Sequence, residues 1–441
     1  MASLMIVQLT ATAQSQLDIY VEQGLANNES IKQQEFALER SLYALKEARA
    51  LFYPSVSLLS DYFLADGGRT IDIPVGDIVN PIYNGLNELT GTNRFPQIDN
   101  ASELLNPNDF YDVRFRTSMP LLNMEIDYNR KIKKHQVSLQ ELETDLYKRE
   151  LVKEIKTAYF NYLKAAEAIT IFAEALETAS ENLRINEALF KNDKANRGAV
   201  IRSDNEVKRF EAQVTAAEQS EISARAYFNF LLNRDAGESI IIDEQYALPG
   251  ISLSENESVD SREELRQLQV SRAINAELSG LAGSYIIPKL STFLDLGSQG
   301  FDGDFDSQTR YYFFGVSLQW DLFAGGKNNY RKKQAALDQQ ITASRTDYVQ
   351  QQLQLQLLTS VSAYRSSQAL YEAAVSQQES SARYYRDMLS LYKEGQALFI
   401  ELLDAQNQWV SAQLQTNISL YDLWTKAADI ERANASFNLN P

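Results

Sequence analysis

Residues able to carry covalent or metal chemistry are almost missing from this chain. Among 441 residues there is one histidine, His135, and no cysteine. A nucleophile–histidine–acid triad, a zinc site and a thiol redox pair each need such residues in convergent sets. His135 lies in the basic helical run Lys131, Lys133, Lys134 and reads as part of a solvated helix face. Gly67-Gly68 and Gly325-Gly326 are turn signals, not phosphate loops. Five methionines, two of them in the leader, speak against a thioether relay for copper. No catalytic residue, metal ligand or cofactor site is therefore expected, and the chain is not read as an enzyme. A net charge of −17 argues against nucleic-acid binding, which needs a basic footprint.

The elements around this sparse chemistry are more informative. Five of the nine prolines fall between Pro54 and Pro107, none between Leu121 and Leu248, and none between Lys289 and Asn440. Proline breaks helix interiors, so the two gaps can hold very long helices. No run of about 18 apolar residues occurs, which excludes a membrane-spanning helix and leaves a β-barrel as the only membrane-spanning option. At the start, Leu4 to Leu9 is apolar and Ala11-Thr12-Ala13 suits signal-peptidase cleavage, but the positive n-region is missing. Residues 1–13 are read as a residual secretion signal, with a plain unstructured start as the alternative. Absence of cysteine fits an extracytoplasmic setting and excludes a lipid anchor through an N-terminal cysteine.

The chain repeats one plan twice. Tyr53-Pro54-Ser55-Val56 answers to Ile287-Pro288-Lys289-Leu290, and Pro120-Leu121-Leu122 to Asp321-Leu322-Phe323. Leu189-Phe190-Lys191 answers to Leu391-Tyr392-Lys393 at an offset of 202 that persists to Ala212-Gln213 and Ala412-Gln413. Each copy then reads helix, strand, strand, long helix, turn, helix. The expected layout is 14–235 for the first repeat, 236–258 for a linker, 259–435 for the second repeat and 436–441 for a tail. The first long helix shows Ile155, Tyr159, Tyr162, Ala166, Ile169, Ala173 and Leu176 at 4-3-4-3 spacing. About 70 residues would make a rod of roughly 105 Å. In each copy the shorter helices sum to nearly the long helix's length, so two short helices are expected to stack end to end beside each long one.

Four stretches alternate. In 311–322, Tyr312, Phe314, Val316, Leu318, Trp320 and Leu322 share one face, and Gly315, Ser317, Gln319 and Asp321 the other. In 109–120, Tyr111, Val113, Phe115, Thr117 and Met119 oppose Asp112, Arg114, Arg116 and Ser118. The stretches at 54–66 and 288–297 alternate less strictly. Their lengths suit tilted transmembrane strands, although a soluble sheet with one wet face has the same period. Four strands cannot close a barrel, so lipid-facing strands require several chains: two would give 8 strands and three would give 12. The insertion Gly67 to Asn108, net −3, with the turn pairs Asn80-Pro81 and Asn106-Pro107, reads as an outward loop, either a plain solvent loop or a receptor or cap surface.

Tyr53-Pro54-Ser55-Val56, Leu322-Phe323-Ala324-Gly325-Gly326, and above all Leu391-Tyr392-Lys393-Glu394-Gly395 with Glu401-Leu402-Leu403-Asp404-Ala405-Gln406 resemble the TolC-like family of outer-membrane efflux channels. The resemblance runs in order over essentially the whole chain. It implies a mostly α fold with a small β part: long helical hairpins forming an α-barrel in a homotrimer, and four strands per chain in a shared 12-stranded transmembrane β-barrel. It further implies residence in the outer membrane of a Gram-negative bacterium, with the helical tunnel in the periplasm, a periplasmic adaptor at the tunnel tip, and an inner-membrane RND or ABC transporter. The tip turns are then 191–199 and 393–401. Lys191, Asn192, Asp193, Lys194, Lys393, Glu394, Gly395 and Gln396 would meet the adaptor, and Tyr392, Glu401 and Asp404 would form the constriction.

The first copy departs from the family pattern. Asp193 stands where the family has glycine and Ala199 where it often has aspartate, and the turn carries Lys194, Arg197 and Arg202. Pairing of Arg197 or Arg202 across the tip with Glu401 or Asp404 would hold a tunnel shut, and three copies of Asp404 around an axis would attract cations. The alternative is that these acids only favour the start of the following helix. The expected function is a passive exit duct of a tripartite efflux or type I secretion system; the alternative is a non-membrane coiled-coil rod or spacer. Drugs, bile-type detergents and peptides all fit as cargo.

Overall fold

The computed structural model describes residues 15–106, 108–242, 248–249 and 258–439. The proposed leader lies outside them, as does part of the 236–258 linker. The described residues fall into two compact units: those within Met1–Tyr43, Lys134–Ala276 and Ala336–Pro441 form one, and those within Ala44–Lys133 and Glu277–Ala335 the other.

The first unit is helical. It holds α1 (Gln16–Asn27), the start of α2 (Glu29–Ala50), most of α4 (Met124–Lys191), α5 (Arg197–Leu231), part of α6 (Glu263–Gly283), most of α7 (Lys327–Lys393) and α8 (Phe399–Ala433). α4 and α7 run for 68 and 67 residues. One apolar core joins α1, α4 and α5 through Tyr20, Val21, Leu151, Ile155, Tyr159 and Phe228. Tyr20 meets Phe228 edge-on at 5.2 Å between ring centroids. Gly24 lets α1 approach α4, since a Cβ there would lie 2.3 Å from Ile155 Cδ1. Of the expected α4 stripe, Ile155, Tyr159 and Tyr162 are buried, but Ala173 is exposed and the buried face passes to Ile171, Ala175 and Ala179. A 4-3-4-3 pattern has period 3.5, whereas a straight helix has 3.6. A stripe extended along the pattern therefore drifts about 20° per heptad off the buried face.

The first helical stretch breaks at Asn28, which is doubly used. Its Oδ1 accepts from the Ser30 N–H at 2.9 Å, capping α2, while its Nδ2 donates to the Leu231 carbonyl at 2.9 Å, closing the end of α5. The same joint recurs in the second repeat with different chemistry. Arg262 is buried and donates to the Ala433 carbonyl at the end of α8 at 2.8 Å and to both Glu264 oxygens. Arg432 extends the pairing to Glu264 and Glu150 at 3.0 Å. Burial alone would raise the Glu264 carboxyl, but the Arg262 hydrogen bond and its own backbone N–H outweigh it and hold the group at about 2. Short helices thus meet end to end in both copies, through a neutral amide in one and an ion cluster in the other.

The second unit is built on four antiparallel strands in the order β1-β4-β5-β6, with β1 at Ser55–Phe63, β4 at Phe110–Leu122, β5 at Lys289–Phe301 and β6 at Arg310–Gln319. The register aligns Leu58, Phe115, Leu296 and Tyr312 in one row across all four strands. These four side chains are 52–76% exposed in the single chain. The neighbouring row on the opposite face is Ser57, Arg116, Asp295 and Phe313, in which Arg116 binds Asp295 through two hydrogen bonds of 2.7 and 2.6 Å. On that face Arg114 pairs with Asp61 and Asp112, and the Tyr311 hydroxyl donates to Asp112. The sheet has one apolar face, one ion-paired face and two open edges, β1 and β6.

The insertion is more ordered than the loop expected from its composition. It contains β2 (Thr70–Ile73) paired with β3 (Ala101–Leu104), and between them α3 (Val75–Thr90). Asn80-Pro81 is inside α3 and is not a turn. Pro81 removes one helical hydrogen bond, and the helix is held instead from its side. Asn80 exchanges two hydrogen bonds with the Ile98 backbone, Asn87 two with the Phe95 backbone, and Asp77 two with Asn100.

Candidate functional site

The candidate site is the pair of turns between α4 and α5 and between α7 and α8. Both close in the same way, 202 positions apart. The Lys194 N–H donates to the Leu189 carbonyl at 2.8 Å and the Gln396 N–H to the Leu391 carbonyl at 2.9 Å. Such a six-residue closure needs a left-handed residue just after the helix. Gly395 supplies it with φ of 76°, and Asp193 with φ of 56°. Aspartate tolerates this conformation at small cost, so the departure from glycine in the first repeat preserves the turn.

The returning helices start differently. In α5, Asn196 is the cap, and its Oδ1 accepts from the Ala199 N–H at 2.9 Å. The equivalent residue before α8 is Leu398, which has no oxygen to offer. Glu401 takes over by reaching back to accept from the Leu398 N–H at 2.8 Å. Asp404, one turn on, accepts from Gln408 Nε2 at 2.7 Å. Arg197 and Arg202 are exposed, and among the described residues neither forms an ion pair within its own chain with Glu401 or Asp404. Lys191, Asn192, Asp193, Lys194, Lys393, Glu394 and Gln396 are on the surface of the turns or beside it.

Tyr392 is not presented at the surface. It is buried with Tyr385, Leu402 and Ala405, its ring 5.8 Å from that of Phe399, and its hydroxyl donates to Asn186 Oδ1. Burial raises the pKa of both tyrosine hydroxyls. Asn186 is itself fully buried and donates to Ser203 Oγ at 2.5 Å, which in turn donates to the Ala199 carbonyl at 2.8 Å. One turn earlier on α4, buried Asn182 donates to Gln406 Oε1 at 2.8 Å. Two asparagines four residues apart on α4 thus reach α5, α7 and α8, tying all four helices together immediately behind the turns.

Sequence reading singled out the turns and Tyr392 but missed Asn182, Asn186, Ser203 and Gln406. A signal was present: Asn182 and Asn186 continue the buried stripe Ile171, Ala175, Ala179, and an asparagine at an apolar position of a helix seam fixes register at some cost in stability. Among the described residues no group of three or more His, Asp or Glu side chains could hold a metal ion, and no helix is long and apolar enough to cross a membrane.

Residues 256–434 match the family described as outer membrane efflux protein. No curated protein matches the sequence. The fold is that of solved outer-membrane channels. The channel OprN aligns over 96% of this chain and 91% of its own with a TM-score of 0.76 and 19% identity. CmeC of Campylobacter jejuni aligns over 97% and 87% with a TM-score of 0.75 and 16% identity. MtrE of Neisseria gonorrhoeae, in its open state, aligns over 95% and 88% with a TM-score of 0.75 and 18% identity. The TolC-like resemblance drawn from the motifs agrees with both findings: residues 256–434 match the outer membrane efflux protein family, and the chain has the fold of solved outer-membrane channels.

Proposed function

We propose that three copies of this chain form an outer-membrane exit duct, passively conducting substrates delivered by a tripartite efflux or type I secretion system. The observation that carries the reading is the four-stranded sheet. A row of large apolar side chains, Leu58, Phe115, Leu296 and Tyr312, needs an apolar surrounding, while the opposite face holds ion pairs suited to water. Among the described residues edges β1 and β6 lack partners within the chain, and pairing β1 of one copy with β6 of the next closes a barrel only with further chains. The resemblance to the TolC-like family favours three copies and 12 strands over two copies and 8.

In this reading the helices form the periplasmic tunnel, and the turns at Lys191–Lys194 and Lys393–Gln396 meet a periplasmic adaptor coupled to an RND or ABC transporter. The gate lies between protomers. Arg197 and Arg202, free of acidic partners in their own chain among the described residues, face Glu401 or Asp404 of a neighbour, and the Asp404 ring favours cations. Tyr392 acts from inside, holding α7 against Asn186 of α4 so that the acids keep their place. Glu401→Gln with Asp404→Asn, measured in planar bilayers, should raise single-channel conductance and weaken cation selectivity. Unchanged conductance and selectivity would sink the gate assignment, and recovery of the protein in a soluble fraction would sink the duct.

A further inference from the structure

Helix α3 is packed inside out. Asp77, Asn80, Asn84 and Asn87 fall on one face, and every one of them is hydrogen-bonded to the extended segment from Phe95 to Asn100, including Gln97 Nε2 to Asn84 Oδ1 at 2.7 Å. The opposite face carries Val75, Ile78, Ile82, Leu86 and Leu89, a single stripe at 3-4-4-3 spacing. These five side chains are 36–85% exposed. A helix of a water-soluble surface would bury the stripe and expose the amides. Here the chain uses the polar face for its own packing and leaves the apolar face to something else.

We infer that this face docks on a second copy of the chain, the α3 stripes of neighbouring protomers packing on one another at the outer end of the barrel. The inference rests on the oligomeric reading given above. Two observations select this occupant. The helix carries Asp77 and Glu88 and no lysine, arginine or histidine, and its insertion is net −3. Interfacial helices are rich in Lys and Arg because they meet anionic headgroups, so an acidic helix is the wrong sign for a lipid surface. The insertion is also hung from β1, an edge strand of the sheet, so it grows from the border at which the next protomer joins. At that border the neighbour brings its β6 edge, and the three-fold axis repeats the stripe so that the three identical apolar faces converge over the mouth of the barrel.

The absence of cysteine allows a clean test. Ile82→Cys and, as control, Thr92→Cys are each labelled with a nitroxide in the full chain, reconstituted in phospholipid vesicles, and the oligomer mass is read separately by native mass spectrometry. In three-chain complexes the label at Ile82→Cys should show dipolar broadening that disappears when labelled chain is diluted with unlabelled chain. It should also be several-fold less accessible to a water-soluble nickel chelate than the label at Thr92→Cys. Three-chain complexes without broadening overturn the inference and leave the duct intact. So does relaxation dominated by dissolved oxygen, which would place the face in lipid. Failure to find three-chain complexes at all overturns the duct reading itself. Ile78→Asn with Ile82→Asn leaves the protomer fold unchanged, because the face is exposed there, and should lower the temperature at which complexes dissociate; no change contradicts the inference.

Discussion

Replacing Asn186 by leucine probes the knot behind the tip turns with a side chain of the same number of heavy atoms and no polar group. Asn186 is fully buried, donates to Ser203 Oγ and accepts from the Tyr392 hydroxyl. Ser203 keeps its bond to the Ala199 carbonyl, so its loss is small. The Tyr392 hydroxyl loses its acceptor inside an apolar cluster, at about 1–3 kcal/mol for a buried orphan group. Together with the net value of the bond to Ser203, the variant should lose about 2–3 kcal/mol. Tyr392→Phe alone should cost about 1–2 kcal/mol, since it orphans the Asn186 oxygen instead. The double variant has neither orphan, so its loss should fall short of the sum by about 1–2 kcal/mol. Guanidinium unfolding followed by circular dichroism at fixed protein concentration measures all three, concentration mattering because oligomers gain stability by mass action. Basal conductance should rise in Asn186→Leu and return toward the parent value in the double variant. Strict additivity of the two losses would refute the argument, because it would mean that Asn186 does not hold the hydroxyl.

Three further outcomes follow from the same geometry. Glu264 sits at about 2 in the folded chain against an ordinary 4.5, so its contribution is complete above pH 4.5 and fades as pH falls toward 2. One pKa unit is worth 1.36 kcal/mol, and after discounting for a side chain still one-fifth exposed the contribution is about 2 kcal/mol. Glu264→Gln should be destabilised by that amount at neutral pH, with the gap to the parent narrowing below pH 4.5 in denaturant titrations; a constant gap contradicts the assignment. Gly395→Ala should cost about 1 kcal/mol from its left-handed backbone alone, since a Cβ there meets nothing within 4 Å; a neutral result would show that the turn relaxes. Phe115→Arg, in the exposed row of the sheet, should cost about 2–4 kcal/mol if the row lies at the lipid midplane, read as a lower dissociation temperature of the membrane-extracted complex.

The helices and the four main strands were legible because their signals are local and repeated: two proline-free stretches, alternation in 109–120 and 311–322, and paired turn motifs 202 positions apart. The turn at Asp193 was legible as a place where glycine was missing, but not that aspartate would take up the left-handed backbone itself. Helix α3 was hidden because composition and a proline inside it speak for a loop, and what holds it is a set of amide contacts to residues 95–100 that no propensity encodes. Arg262 and Asn28 occupy equivalent joints with unlike side chains, so no shared motif marks them, and their meaning depends on carbonyls at the ends of α8 and α5 about 170 and 200 residues away. Tyr392 was chosen by resemblance, and its burial against Asn186 is a fact of tertiary packing.

Sharing of one barrel by several chains is tested most directly by the mass of the complex extracted from outer membranes. Native mass spectrometry in a mild detergent should give three identical chains, each of at most 49.9 kDa, held in one complex. A two-chain complex would contradict the 12-stranded barrel, and a single chain recovered from the soluble fraction would contradict the membrane assignment of the sheet.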